Sequence, residues 1–148
     1  MIKTHQTSVV LVVVEDSDED FDTVTEAVKR SGMSVEVRRA TTGEAGISIV
    51  RGVPTDRPVI VLMDLNTPGT DGRDALAILK TDPTLKLIPV IVFSTSANPK
   101  DVGFCYAAGA NAYHVKPVRY PDHLQLVIDI VGYWVGCVTL LSTGGSNS

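Results

Sequence analysis

Short apolar runs alternate along the chain with stretches in which apolar residues recur at helical spacing. Three runs lack polar side chains and are rich in β-branched residues, which is typical of strands buried on both faces. These runs are Val9–Val14, Val59–Met63 and residues 89–93. Valines alternate with charged residues at 35–38, which predicts a half-exposed strand, and Ala112–Val115 predicts a short fifth strand.

Helices are predicted in the intervals between these strands. After the first strand, Phe21, Val24, Ala27 and Val28 share one helical face, and Gly32 is a typical C-terminal stop. Four further helices are predicted at residues 42–50, around 75–79, at 98–108 and at 121–138. Five strands alternating with five helices predict a single α/β domain, with a parallel sheet covered on both faces. We expect its core to span about residues 8–140, with 141–148 as a flexible tail.

Charge and composition narrow the classes of partner. The net charge is −4 and the chain has no dense Lys/Arg run, whereas nucleic-acid-binding domains usually carry a basic patch. The apolar run Val9–Val14 is too short for a membrane span or for the apolar core of a signal peptide. Cys105 and Cys137 fall inside predicted helices and do not form a disulfide framework. We therefore expect a cytoplasmic protein that binds neither nucleic acid nor a membrane.

Polar side chains follow the predicted strands where each strand ends. The first strand is followed by Glu15 and Asp16, the third by Asp64, the fourth by Ser94 and the fifth by Lys116. Because parallel strands present their carboxyl ends at one edge of the sheet, these side chains should meet there. Three converging carboxylates would repel one another, so the pattern predicts a divalent cation, and oxygen ligands suit Mg²⁺. The lysine would supply a second positive charge.

Four segments carry a resemblance to a known family. They are "VVVED" (12–16), "VLMDLNTPGTDG" (61–72), "IPVIVFSTS" (88–96) and "GANAYHVKPV" (109–118). In this order and spacing they resemble the CheY-like receiver domain of two-component response regulators. The resemblance implies a flavodoxin-like fold with strand order 2-1-3-4-5. It also implies a single-domain response regulator, which takes a phosphoryl group from a sensor histidine kinase and then acts through contacts with other proteins.

The resemblance assigns roles to the residues at the strand ends. Asp64 corresponds to the phosphoacceptor and Asp16 to a direct Mg²⁺ ligand. Glu15 corresponds to an acid that acts on the metal through a bound water, and Asn66 to a residue that adds its backbone carbonyl. Lys116 corresponds to the lysine that neutralises the phosphoryl charge. The following Lys116–Pro117 bond is one that is commonly cis in the family.

The resemblance also implies a conformational switch. Ser94 corresponds to the hydroxyl that binds the phosphoryl group, and Tyr113 to the switch aromatic residue. Movement of the Ser94 side chain toward the phosphate would vacate space that the Tyr113 ring could enter. Asn66 and Ser96 correspond to residues that flank the route of the attacking water, so the lifetime of the phosphorylated state should depend on them.

Two alternatives share much of this pattern. Haloacid-dehalogenase-type phosphatases also form an aspartyl phosphate on an α/β sheet with Mg²⁺, but they need a second acid two residues after the nucleophile, where this chain has Asn66. A binding module that keeps the fold but does not signal is the second alternative, and the complete set of acids, hydroxyl and lysine argues against it. On the receiver interpretation the protein is not an enzyme; it catalyses only its own phosphorylation and dephosphorylation.

The last predicted helix carries more apolar surface than one core face requires. One apolar face comprises Leu124, Val127, Ile128, Val131, Trp134, Val135 and Val138. A second apolar stripe comprises Leu126, Ile130, Tyr133 and Cys137. This stripe either packs under a neighbouring element or forms an interface, and we favour a homodimer through it.

Two shorter features complete the sequence pattern. The segments "YWVGCVTL" (133–140) and "STSAN" (94–98), together with the Asn-Thr-Pro that follows Leu65, are similar to small response regulators that partner bacterial phytochrome kinases, especially those of cyanobacteria. The partner implied is a phytochrome-like sensor histidine kinase.

Four further acids lie near the N-terminus. The first predicted helix begins with Asp18, Glu19 and Asp20, where negative charge suits the helix dipole, and Asp22 should lie on the surface.

Overall fold

The structure, a computed structural model, describes residues 8–67 and 72–142. Within them the chain forms strands β1 (Val9–Val14), β2 (Val35–Ala40), β3 (Val59–Met63), β4 (Val90–Ser94) and β5 (Ala112–Val115). The strands pair in parallel in the order β2-β1-β3-β4-β5. This is the flavodoxin-like arrangement that the family resemblance implies, and the strand order is confirmed.

Helices connect the strands in the predicted alternation. They are α1 (Asp18–Ser31), α2 (Gly43–Gly52), α3 (Gly72–Thr81), α4 (Pro99–Ala108) and α5 (Tyr120–Gly136), with a short 3-10 helix at Leu85–Leu87. Gly32 ends α1 with a left-handed backbone (φ 71°), as predicted. The last helix ends at Gly136, so Cys137 follows it, whereas the sequence pattern predicts Cys137 inside the helix. No helix among these residues is both long and apolar enough to cross a bilayer.

Two apolar clusters lie on opposite faces of the sheet. Val10, Val12 and Val14 of β1 point to the cluster that α2, α3 and α4 cover, whereas Leu11 and Val13 point to the cluster that α1 and α5 cover. Successive side chains of a strand point to opposite faces, so a strand buried on both faces must be apolar throughout. This is why the central strands could be predicted as uninterrupted apolar runs.

The second stripe of α5 is only partly exposed. Ile130 is 6% exposed and packs in the core with Val127 and Val131, contrary to its expected place on an uncovered stripe. Leu126 is half-buried against the same cluster, while Tyr133 and Cys137 are exposed. The buried arc of α5 is wide because the helix packs against α1 as well as the sheet.

Two details concern the ends of elements. The Lys116–Pro117 peptide is trans, and not cis as the family resemblance implies; trans is the intrinsically favoured form of such a bond. Near the C-terminus, Ser142 forms an antiparallel bridge with Pro58. Of the expected flexible tail, residues 143–148 lie outside the described residues.

Candidate functional site

Carboxylates converge at the carboxyl ends of β1 and β3. These strands are in register up to Val14 and Met63, and the Asp64 N–H donates to the Val14 carbonyl at 3.0 Å. The residues that follow, Glu15, Asp16 and Asp64, therefore share one edge. Carboxylate oxygens of these three residues lie within 4.8 Å of one another.

Lys116 is the cation of this edge. Its side chain is 4% exposed, and the ammonium donates to Glu15 Oε1 at 2.7 Å, to Asp20 Oδ2 at 2.7 Å and to Asp64 Oδ2 at 3.1 Å. The backbone N–H of Lys116 donates to the Ser94 carbonyl at 2.8 Å, which anchors the lysine to the neighbouring strand. One ammonium thus faces several carboxylates, and negative charge remains in excess.

Burial and pairing act in opposite directions on the pKa values of the site. Burial disfavours the charged form of Lys116, but hydrogen bonds to Asp20 and Glu15 and the charge of Asp64 outweigh it, so its pKa is raised and the amine stays protonated. Burial also raises the pKa of Glu15, and the pairing with Lys116 only partly opposes this rise. The lysine is therefore a permanent positive charge beside Asp64.

Asp20 was not predicted to take part in this site. The sequence pattern places it in the first turn of α1 and predicts only a favourable interaction with the helix dipole. Its carboxylate also reaches Lys116, 96 residues later in the chain. Nothing local in the sequence signals this pairing, because it depends on how α1 packs beside the end of β5.

Ser94 and Tyr113 are connected through the loop after β4. Ser94 is fully buried, and its hydroxyl oxygen accepts from the Ser96 N–H at 3.2 Å. The Tyr113 hydroxyl donates to the Ser96 carbonyl at 2.8 Å, and the Tyr113 ring packs against the cluster under α2, α3 and α4. The two predicted switch residues are therefore both hydrogen-bonded to the backbone of Ser96.

The segment after Asp64 is held close to the start of α3. The Asn66 N–H donates to Asp64 Oδ1 at 3.1 Å, and the Gly72 N–H donates to the Leu65 carbonyl at 3.2 Å. A Cβ at Gly72 would lie 2.6 Å from Leu65 Cα and 2.8 Å from the Asp64 carbonyl oxygen. Only glycine allows this approach. The quoted "TDG" segment contains Gly72, but its packing role was not predicted.

The donor set fits a hard divalent cation. Glu15, Asp16 and Asp64 offer carboxylate oxygens only, and Asp16 is exposed, so water can complete the coordination. Both Glu15 oxygens already have partners, Lys116 at 2.7 Å and the Ser17 N–H at 3.1 Å. The residues present are thus compatible with a cation that Asp16 and Asp64 contact directly.

Residues 11–129 match the family model of the response regulator receiver domain. The chain belongs to this family. It is therefore a response regulator receiver and not a member of a conventional enzyme family.

The four predicted interface residues lie away from the acidic site. They belong to α5 or follow it, and they are Leu126, Ile130, Tyr133 and Cys137.

Several relatives of the chain are known. Response regulator Rcp1 of Synechocystis sp. is 36% identical over 135 residues, which cover 88% of this chain and 92% of Rcp1. The crystal structure of Mn²⁺-bound Rcp1 has a TM-score of 0.81 at 36% identity and covers 88% of this chain and 97% of that one. The phosphorylated cyanobacterial phytochrome response regulator RcpA has a TM-score of 0.84 at 35% identity, with coverages of 90% and 99%.

A further structure is the response regulator RPA3017 in red light signalling of R. palustris. It has a TM-score of 0.76 at 33% identity and covers 88% of this chain and 96% of that one. The chain is thus related to phytochrome response regulators, as its C-terminal segment indicates. Mn²⁺ in Rcp1 and the acidic cluster of this chain together support a divalent cation site.

Proposed function

We propose that this response regulator accepts a phosphoryl group on Asp64 from a phosphohistidine of a sensor histidine kinase. The observation that carries the proposal is the position of the Lys116 ammonium, 3.1 Å from Asp64 Oδ2. Asp64 already lies beside two other carboxylates, and a phosphoryl group would add more negative charge there. The Lys116 ammonium can neutralise part of that charge. Phosphoryl transfer depends mainly on positioning and charge neutralisation, which such a site supplies.

The transfer can be written with this chain's own groups. An oxygen of Asp64 forms the new P–O bond while the P–N bond of the phosphohistidine breaks and the imidazole keeps the electron pair. Lys116 neutralises charge on the phosphoryl oxygens, and the Ser94 hydroxyl donates a hydrogen bond to one of them. By the same chemistry the protein promotes only its own phosphorylation and dephosphorylation.

The cation of the site is Mg²⁺ in this proposal. Asp16, Asp64 and the backbone carbonyl of Asn66 would hold it, with Glu15 acting through a metal-bound water because its oxygens already have partners. When bound, the ion would neutralise charge shared by the acids and the phosphoryl group. Oxygen-only donors and the exposure of Asp16 support this assignment.

The partner in this proposal is a phytochrome-like kinase of the cytoplasm. Support comes from RcpA, a cyanobacterial phytochrome response regulator, and from RPA3017, which acts in red light signalling. Phosphotransfer from candidate kinases, measured with and without red light, tests it. If kinases that do not respond to light transfer phosphate to this protein as fast as light-sensitive kinases do, a phytochrome partner is contradicted.

A homodimer through α5 is also part of the proposal. Tyr133 is 57% exposed beside a cleft that His114, Leu126 and Trp134 line, and this cleft could receive an apolar side chain of a second copy. Because Ile130 is buried, Tyr133→Asp is the informative substitution. Sedimentation should show a dimer for the wild type and a monomer for this variant. A monomeric wild type at micromolar concentration would contradict the dimer.

The acceptor assignment is tested by Asp64→Asn. Phosphorylation by acetyl phosphate with MgCl₂, measured as incorporated phosphate, should be abolished because the amide cannot form the acyl phosphate. Asp74→Asn, on the exposed first turn of α3, is the matched control and should leave the yield unchanged. An unchanged yield for Asp64→Asn would refute the assignment, and turnover of small phosphate esters would favour a phosphatase.

A further inference from the structure

One side-chain network ties the loop between β4 and α4 to two helices. The Ser96 hydroxyl donates to Asp101 Oδ2 at 2.6 Å and accepts from the Asn98 N–H at 3.2 Å. The other carboxylate oxygen of Asp101 accepts from Arg73. Asp101 lies in the first turn of α4 and Arg73 in the first turn of α3. We refer to Arg73, Asp101 and Ser96 as the loop clamp.

The loop clamp reaches both predicted switch residues through the backbone of Ser96. The Ser96 N–H donates to the Ser94 hydroxyl at 3.2 Å, and the Ser96 carbonyl accepts from the Tyr113 hydroxyl at 2.8 Å. Both hydroxyl groups are therefore hydrogen-bonded to the backbone of one residue, Ser96, whose side chain belongs to the loop clamp. The Ser96 N–H also occupies an acceptor site of Ser94, which leaves the hydroxyl hydrogen for donation.

The clamp is held by charge as well as by geometry. Hydrogen bonds from Ser96 and Arg73 lower the pKa of Asp101, so its carboxylate is ionised at neutral pH. The Arg73 and Asp101 side chains are 30% and 23% exposed, so water partly screens the charge of this pair. The network restrains the loop mainly through its geometry, because both oxygens of the Asp101 carboxylate are hydrogen-bonded.

We propose that Asp101, oriented by Arg73, is a positioning residue that holds the Ser94 hydroxyl and the Tyr113 ring in place through Ser96. The idea rests on the proposed phosphorylation of Asp64, because Ser94 is useful there only if a phosphoryl group arrives. It adds a connection between the site and the contact of α3 with α4. A partner that binds at the contact of α3 with α4 should then change the reactivity of the site. Occupation of the site should in turn change the affinity for that partner.

Amide exchange of the unphosphorylated protein tests the positioning step. In Asp101→Ala the N–H groups of Ser96 and Asn98 should exchange about threefold to tenfold faster by NMR, the range expected for one lost hydrogen bond. Neither N–H donates to the Asp101 side chain, whereas the Asn98 N–H donates to the Ser96 hydroxyl that Asp101 accepts from. The Ser96 N–H precedes α4 and is the more direct readout of the loop, because the Asp101 backbone itself contacts Asn98. Asp101→Asn keeps an acceptor for the Ser96 hydroxyl and should restore part of the protection.

Arg51→Ala is the matched control. It breaks another arginine–aspartate pair, with Asp82 at 3.6 Å, which joins α2 to the residue after α3. Exchange at Ser96 and Asn98 should stay at the wild-type rate in this variant. Wild-type exchange at both amides in Asp101→Ala would overturn the proposal.

Phosphorylation by acetyl phosphate tests the consequence for the site. Asp101→Ala and Ser96→Ala should each slow the initial rate of phosphate incorporation, before dephosphorylation contributes, by about threefold to tenfold, because the Ser94 hydroxyl is less well placed. If Asp101 acts through Ser96, the double variant is no slower than the slower single variant, and additive slowing would overturn the proposal. If the wild type incorporates no phosphate, the proposed function fails, whereas amide exchange still decides whether the clamp positions the loop.

Discussion

At the scale of single residues, two acids near the start of the chain differ in their surroundings. The Asp20 carboxylate accepts a hydrogen bond from the Lys116 ammonium at 2.7 Å. The exposed Asp16 carboxylate instead lies within 4.8 Å of those of Glu15 and Asp64. Without a divalent cation, Asp16 adds repulsion while Asp20 adds attraction.

The two acids should therefore have opposite effects on stability. In EDTA, Asp16→Asn should raise the free energy of unfolding by about 1 kcal/mol, the Coulomb energy of one like-charge pair in a well-solvated site. Asp20→Asn should lower it by about 1 kcal/mol, since Lys116 loses a charge-assisted hydrogen bond that is partly exposed. Urea unfolding measures both, and a change of the same sign in both variants would contradict this account.

At the scale of elements, the strands and the convergence of the polar residues that follow them could be predicted because each leaves a local signal. β1, β3 and β5 match their predicted bounds. For β1 and β3 the signal is an apolar run bounded by polar residues, which marks a buried strand. The burial of Ile130 could not be predicted, because periodicity gives the direction of a helix face and not the width that neighbours cover. Partners far apart in the chain, such as Asp20 and Lys116, leave no local signal either.

The start of α3 yields a second prediction. Gly72→Ala should lower the free energy of unfolding by about 1–3 kcal/mol, because the new Cβ would lie 2.6 Å from backbone atoms that also position Asp64. Phosphorylation should slow in parallel. Gly103→Ala inside α4, where a Cβ meets no atom within 4 Å, is the control and should stabilise the helix by about 1 kcal/mol. Chemical denaturation that ranks the two variants in the reverse order would show that α3 tolerates a shift.

At the scale of the whole molecule, the carboxylates that meet at the site outnumber the one ammonium that they face. Lys116 contacts Glu15, 101 residues earlier, and Asp64, 52 residues earlier, so separate parts of the chain must fold before these charges meet. The folded chain then concentrates several carboxylates around one ammonium at one edge of the sheet. In the unfolded chain Asp64 is far from Glu15, Asp16 and Asp20, which are near one another in sequence, so folding adds the charge of Asp64 to theirs. A cation that binds only the assembled site must therefore stabilise the fold.

Mg²⁺ should accordingly raise the melting temperature of the unphosphorylated protein. Linkage predicts about 2.7 kcal/mol of stabilisation when the free ion reaches about 100 times its dissociation constant, or roughly 5–10 °C for a domain of this size. NaCl at matched ionic strength only screens the acids and should raise the melting temperature less. Asp16→Asn should lose most of the Mg²⁺-dependent increment while keeping the response to NaCl. An equal Mg²⁺ shift in that variant would mean that the ion does not use Asp16.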